Sequence, residues 1–217
     1  MKEETKKKDW CPIWIYLLVT IIVSIAFSII SIGLANRGDE VRKLLESLSL
    51  VISNGVITFI FLILYHKRLK KDLKRINKRN IIFIIISAIV IITLNELISY
   101  IFELLKIEMS NQNAINDYFT NLKIPIIISI VLLAPFTEEI MFRYSLETIC
   151  KTDKSFIIIS GLLFGFAHGI GIASLLYIFI GICLSIIYIK NDKNIIAPMS
   201  VHFLNNLISV IEMLIFL

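Results

Sequence analysis

Long apolar runs, separated by short charged stretches, constrain this chain more than any other feature. Runs of this kind fall at residues 13–35, 47–65, 81–105, 124–148, 156–168, 172–189 and 195–217. A bilayer core about 30 Å thick needs roughly 20 apolar residues in a helix that rises ~1.5 Å per residue. Helices are expected because every backbone polar group inside lipid must find its partner within the protein. The hydrophobic share is 57%, above the ~45–50% of ordinary soluble domains. These runs predict an all-α, polytopic transmembrane bundle of about seven helices (six to eight), forming one integral membrane domain over residues 1–217. The first run is longer than the ~7–15 residues of a signal-peptide core, so it is expected to be a retained span.

Charge sets the expected orientation. The formal net charge is +5, and the stretch 66–79 holds eight basic residues against the single acid Asp72. Basic residues beside apolar runs hold loops on the cytoplasmic side. With the N-terminus inside, the basic loop over 66–80 and the lysines at 151, 154, 190 and 193 all fall on that side. The loops at 36–47 and 106–123, poorer in lysine and arginine, fall outside. The expected location is therefore the cell membrane, multi-pass, with membrane lipids as partners. An anionic-lipid or partner patch is the functional alternative for 66–79. No base-stacking aromatic pattern accompanies the basic residues, and nucleic acid is not an expected partner. Cys11, Cys150 and Cys183 are odd in number and lack metal-type spacing, so no disulfide framework is expected.

Polar residues inside these runs are the informative ones, because a charged group near mid-membrane costs at least ~2.5–3.5 kcal/mol on insertion scales. Glu138 and Glu139 follow Pro135, and Arg143 sits four residues after Glu139, in position to pair with it. Pro135 has no N–H and loosens the helix just before the two acids. His168 ends the run 156–168, with Phe164 one turn earlier and able to pack on its ring. His202 and Asn206 are four residues apart in the last run and share a face, an arrangement suited to binding an oxyanion or orienting a water. Each group has a plain structural reading as an interfacial charge, an anchor or interhelical glue. Together they place acid, imidazole and amide groups on three helices. That set can activate a water and stabilise a tetrahedral intermediate. Glu96, in the third run, either joins the site or pairs with Arg143. On the assigned topology His168 lies ~20 Å into its span, whereas Glu138 and His202 lie toward the cytoplasmic side. A shared site needs a tilted or early-starting fifth helix.

The pattern Glu138-Glu139-x-x-x-Arg143, Phe164-x-x-x-His168 and His202-x-x-x-Asn206, in that order, resembles the CAAX-protease and bacteriocin-processing (Abi) family, which includes the type II CAAX prenyl endopeptidases. The resemblance covers residues 124–217; the first hundred or so match only as membrane spans. It implies an intramembrane endopeptidase acting on a membrane-associated peptide or protein. Glu138 and His168 would activate water, and His202 and Asn206 would bind the oxyanion. Glu139, Arg143 and Phe164 would support them. No His-Glu-x-x-His helix is present, so the metal-free glutamate mechanism is preferred and no cofactor is expected. Were the enzyme zinc-dependent, Glu138, His168 and His202 would be the ligands. Two other functions fit the same polar cluster: a non-catalytic membrane regulator or bacteriocin-immunity protein that uses the cavity for binding, and a small transporter. The sequence shows no paired internal halves to favour the transporter.

Overall fold

The computed structural model describes residues 9–34, 38–107 and 123–216. Among them the chain forms seven helices and no strand. They are α1 (Cys11–Gly33), α2 (Asp39–Lys74), α3 (Lys78–Leu104), α4 (Lys123–Ile149), α5 (Asp153–Ala167), α6 (Ser174–Lys190) and α7 (Ile196–Phe216). The all-α polytopic bundle read from the sequence holds. Five of the seven, α1 to α4 and α7, are long and apolar enough to cross a membrane; α6 is a shorter apolar helix of 17 residues and α5 has 15. Most of the expected outer loop at 106–123 lies outside the described residues.

The surface is the reverse of a water-soluble protein's. Ile22, Ile29, Ile86 and Ile89 are all exposed, on faces that suit acyl chains and leave no backbone group unsatisfied. Inside, Ser129, Thr137, Glu139, Arg143, Ser160 and Ser185 are fully buried. Polar groups in this bundle therefore turn inward, toward partners that lipid cannot supply.

Residues 66–74, expected within a basic loop, instead continue α2, and only residues 75–77 are non-helical before α3. Lysine, arginine and leucine favour helix, and the one acid in the stretch faces in. Asp72 is buried; it accepts hydrogen bonds from Tyr144 Oη at 2.6 Å and from the Ile195 backbone N–H at 3.3 Å. Its own carbonyl accepts from Asn194 Nδ2 at 2.8 Å. Arg68 lies over the Tyr144 ring, 3.5 Å from its centre. The α6–α7 connection is thus clamped to the end of α2. This connection holds Asp192 and Lys193 at φ 54°, a left-handed conformation costly for residues with a Cβ. Lys193 Nζ bonds Glu147 at 2.9 Å and Asp153 at 3.0 Å. Burial alone would lower the Lys193 pKa, but these bonds outweigh it and hold the ammonium above its ordinary value.

An Asn77/Asn80 capping box starts α3, and a Thr152/Ser155 box starts α5; each satisfies backbone donors at a helix start. Helices α5 and α6 form a hairpin whose axes approach through glycine. A Cβ added at Gly165 would lie 2.8 Å from the Ile178 backbone nitrogen, and one at Gly161 would lie 3.1 Å from that of Ile182. Small residues four apart allow this close crossing within membranes. Close packing of the hairpin sets where His168, the residue that caps the C-terminus of α5, ends up.

Candidate active site

The site begins with an irregular helix. Within α4, π turns at Ser129–Leu133 and Ile140–Ser145 bracket the regular segment Ala134–Glu139. The first turn follows from Pro135. In it the Ala134 N–H bonds back to the Ser129 carbonyl, five residues earlier. The next bond of that register would run from residue 135 to the Ile130 carbonyl, but proline has no N–H to give. Asn206 Nδ2 supplies the missing donor, 3.0 Å from the Ile130 oxygen. One residue before, the Ser129 hydroxyl accepts from Asn54 Nδ2 of α2 at 2.9 Å. The π turn is therefore held from two sides, and the acids that follow it are placed by α2 and α7 as well as by their own helix.

Glu139 and Arg143 form a fully buried pair. Arg143 Nη2 donates to Glu139 Oε1 at 3.3 Å, and Nε lies 2.9 Å from Oε2, a charge contact outside hydrogen-bond alignment. Arg143 Nη1 donates to Ser160 Oγ on α5 at 2.6 Å, and that hydroxyl donates onward to the Phe142 carbonyl at 3.0 Å. His202 Nδ1 lies 3.1 Å from Glu139 Oε1. The carboxylate can only accept, so Nδ1 carries the proton and the ring's Nε2 faces away from Glu139. One carboxylate thus orients both the arginine and the histidine.

Glu138 is turned from Glu139 by its place on the helix and meets different partners. Its Oε2 lies 3.7 Å from His168 Nε2 and 4.0 Å from His202 Nε2, and it is buried without a hydrogen-bond partner among the described residues. His168 Nδ1 lies 2.8 Å from the Phe164 carbonyl. A carbonyl also only accepts, so Nδ1 again carries the proton and Nε2 presents its lone pair to Glu138. The His168 ring sits between Phe164, with centroids 4.5 Å apart, and Tyr177 of α6, stacked at 4.6 Å with 13° between planes. Phe164 also meets His202 edge-on at 5.5 Å. The ring of Phe164 therefore sets the spacing of the two histidines. Glu138, His168 and His202 converge, so His168 and the two acids share a depth after all. The short α5, entering at Asp153, brings its end to the level of Glu138.

Residues 120–208 match the family described as type II CAAX prenyl endopeptidase Rce1-like. The match covers under half of the chain and agrees with the resemblance to the type II CAAX prenyl endopeptidases carried by the three motifs. The Rce1-like stretch runs from the start of α4 to His202 and Asn206 on α7, and it takes in Glu138, Glu139, Arg143, Phe164 and His168. Helices α1 to α3 lie outside it. No curated protein and no solved structure matches the chain.

Of the residues read from sequence, Glu138, His168 and His202 come together. Glu139, Arg143 and Phe164 surround them, and Asn206 bonds the backbone of the π turn. Asn205 is buried, with its Oδ1 lacking a partner among the described residues. Glu96 neither joins the site nor reaches Arg143; its Oε1 accepts from Asn95 Nδ2 at 3.3 Å. Sequence reading missed Ser160 and Tyr177. Ser160 carried a signal, since it stands one turn before Phe164 and two before His168 on the same face. Tyr177 carried none, because only the hairpin crossing brings it over the imidazole. Among the described residues no group of three histidine, cysteine or acidic side chains is disposed to hold a metal ion.

Proposed function

We propose that this chain is an intramembrane endopeptidase that hydrolyses a peptide bond of a membrane-associated peptide or protein with water activated by Glu138 and His168. One observation carries the reading. Glu138 Oε2 and His168 Nε2 face each other at 3.7 Å, and each is an acceptor in its resting form. Two acceptors so close call for a donor between them, and a water giving one hydrogen to each meets that demand.

The chemistry follows from the placement. Glu138 takes a proton as the water oxygen adds to the peptide carbonyl carbon. The oxyanion that forms is met by His202, whose Nδ1–H is anchored on Glu139 and whose protonated Nε2 donates. Asn206 uses one amide hydrogen on Ile130 and has a second to offer. The proton held by Glu138 then passes to the leaving amine as the C–N bond breaks. Arg143 pairs with Glu139, and Glu139 in turn fixes the orientation of the His202 ring.

Zinc would draw on Glu138, His168 and His202. A tetrahedral ion with bonds of ~2.0–2.2 Å sets its ligands about 3.3–3.6 Å apart. The separations of 3.7 and 4.0 Å lie just outside that span, and the preference for water rests on there being no His-Glu-x-x-His helix. Cytoplasmic placement of the N-terminus and of the basic end of α2 is part of the proposal, supported by the distribution of lysine and arginine.

The test uses peptide reporters with and without a farnesyl group, incubated with the protein in lipid bilayers. Wild type should release a C-terminal fragment, and Glu138→Gln should be slower by about 10²–10⁴-fold while folding to the same level. Chelators should leave the wild-type rate unchanged. Equal release by wild type and Glu138→Gln would end the protease reading and favour a binding-only partner.

A further inference from the structure

Helix α1 is anchored by hydrogen bonds at one end only. Near Asp9 it is tied down: the Asp9 backbone N–H donates to Thr148 Oγ1 at 2.8 Å, Tyr65 Oη donates to Asp9 Oδ2 at 3.0 Å, and Ser145 Oγ donates to the Asp9 carbonyl. Beyond that point Pro12 is the helix's single buried residue. Farther along, α1 stands off from α2 and leaves a cavity of about 500 Å³ between them.

The lining of this cavity is not what lipid would fill. Ser24 and Ser28 of α1 face Ser49 and Ser53 of α2 across it, and Arg42 and Glu46 stand at the end near the α1–α2 connection. Ser53 is 5% exposed, and its hydroxyl has no hydrogen-bond partner among the described residues. Acyl chains would leave the Ser53 hydroxyl without a partner at a cost of about 1–3 kcal/mol, and would meet the charged Arg42 and Glu46 at the mouth. Water satisfies them, and at ~30 Å³ each roughly a dozen or more molecules fit. The inner end of the cavity is formed by Tyr16 and Asn54. Asn54 holds Ser129 of the π turn, and Tyr16 packs against the core cluster that holds Phe142 and Phe164 beside the site.

We propose that the cleft between α1 and α2 is a water-filled vestibule that hydrates the catalytic centre from the α1–α2 side, with Tyr16 as the stopper between it and Glu138. The supply role rests on the hydrolase reading; the hydration itself does not.

Accessibility to water-soluble reagents tests it in native membranes. In a background with Cys11, Cys150 and Cys183 replaced by alanine, Ser49→Cys and Ser53→Cys should react with a cationic methanethiosulfonate at least tenfold faster than Ile22→Cys. Ile22 is 64% exposed and does not line the cleft. A Ser53→Cys rate no faster than that of Ile22→Cys overturns the vestibule. For the stopper, a water-soluble carbodiimide should modify Glu138 several-fold faster in Tyr16→Ala than in wild type or Tyr16→Phe, read by mass spectrometry. Unchanged modification overturns the route to Glu138. Neither readout needs turnover, so failure of the protease reading alone leaves both rates as expected.

Discussion

Helices α1 and α4 are both apolar spans, yet they are built on opposite terms. Helix α1 is regular, exposes isoleucine along its length and buries only Pro12. Helix α4 is broken by two π turns and buries two serines, a threonine, two acids and an arginine. The difference teaches that hydropathy finds the membrane but not the working part. What separates the two is the number of polar groups whose partners come from other helices. Stability and chemistry both concentrate where a span departs from uniform apolarity.

Substitutions that change the burial of each region sharpen or break this contrast. The largest expected effect is at Arg143. Arg143→Leu leaves Glu139 buried and uncompensated and should cost about 3–5 kcal/mol, seen as a loss of folded protein or a lower Tm in detergent. A Tm near wild type would show that the pair is not the keystone of α4. Gly165→Val comes next. Its side chain meets the Ile178 backbone, so the hairpin must part, at about 1–3 kcal/mol. Because His168 follows three residues later, activity should fall further than stability does. Asn206→Leu should cost about 0.6–1.7 kcal/mol, the range for hydrogen bonds between membrane helices, by leaving the Ile130 carbonyl without its donor. If Asn206 also meets the oxyanion, activity falls by a larger factor than that cost explains. Smallest is Ile22→Ala on α1, expected within about 0.5 kcal/mol of wild type. A cost equal to that of Asn206→Leu would mean that α1 is packed as tightly as α4, and the contrast would fail.

Much of this was legible in the sequence, and the reason is lipid. It tolerates a charged side chain only with a purpose, so Glu138, Glu139, Arg143, His168 and His202 stand out against their neighbours. Spacing then pairs Glu139 with Arg143 and Phe164 with His168. What stayed hidden depends on three dimensions. The bond from Asn206 to Ile130 exists because Pro135 withholds an N–H in a π register, which no apolar pattern announces. The stacking of Tyr177 on His168 depends on how closely α5 and α6 cross, a consequence of Gly161 and Gly165. Glu96 looked like a site residue by the same rule that found the others, but its carboxyl meets Asn95 instead. The run of lysines and arginines after Tyr65 reads as a loop by charge, while its helical propensity and the inward-facing Asp72 make it the end of α2.

Asp72 has one more consequence. The stretch that resembles the proteases begins after residue 119, yet Tyr144, Asn194 and Ile195 within it are all tethered to this carboxylate and its carbonyl from outside. The stretch that holds the candidate site is thus not a portable module. Excised on its own it would lose the peg that fixes the turn before α7, and with it the angle at which His202 enters the bundle.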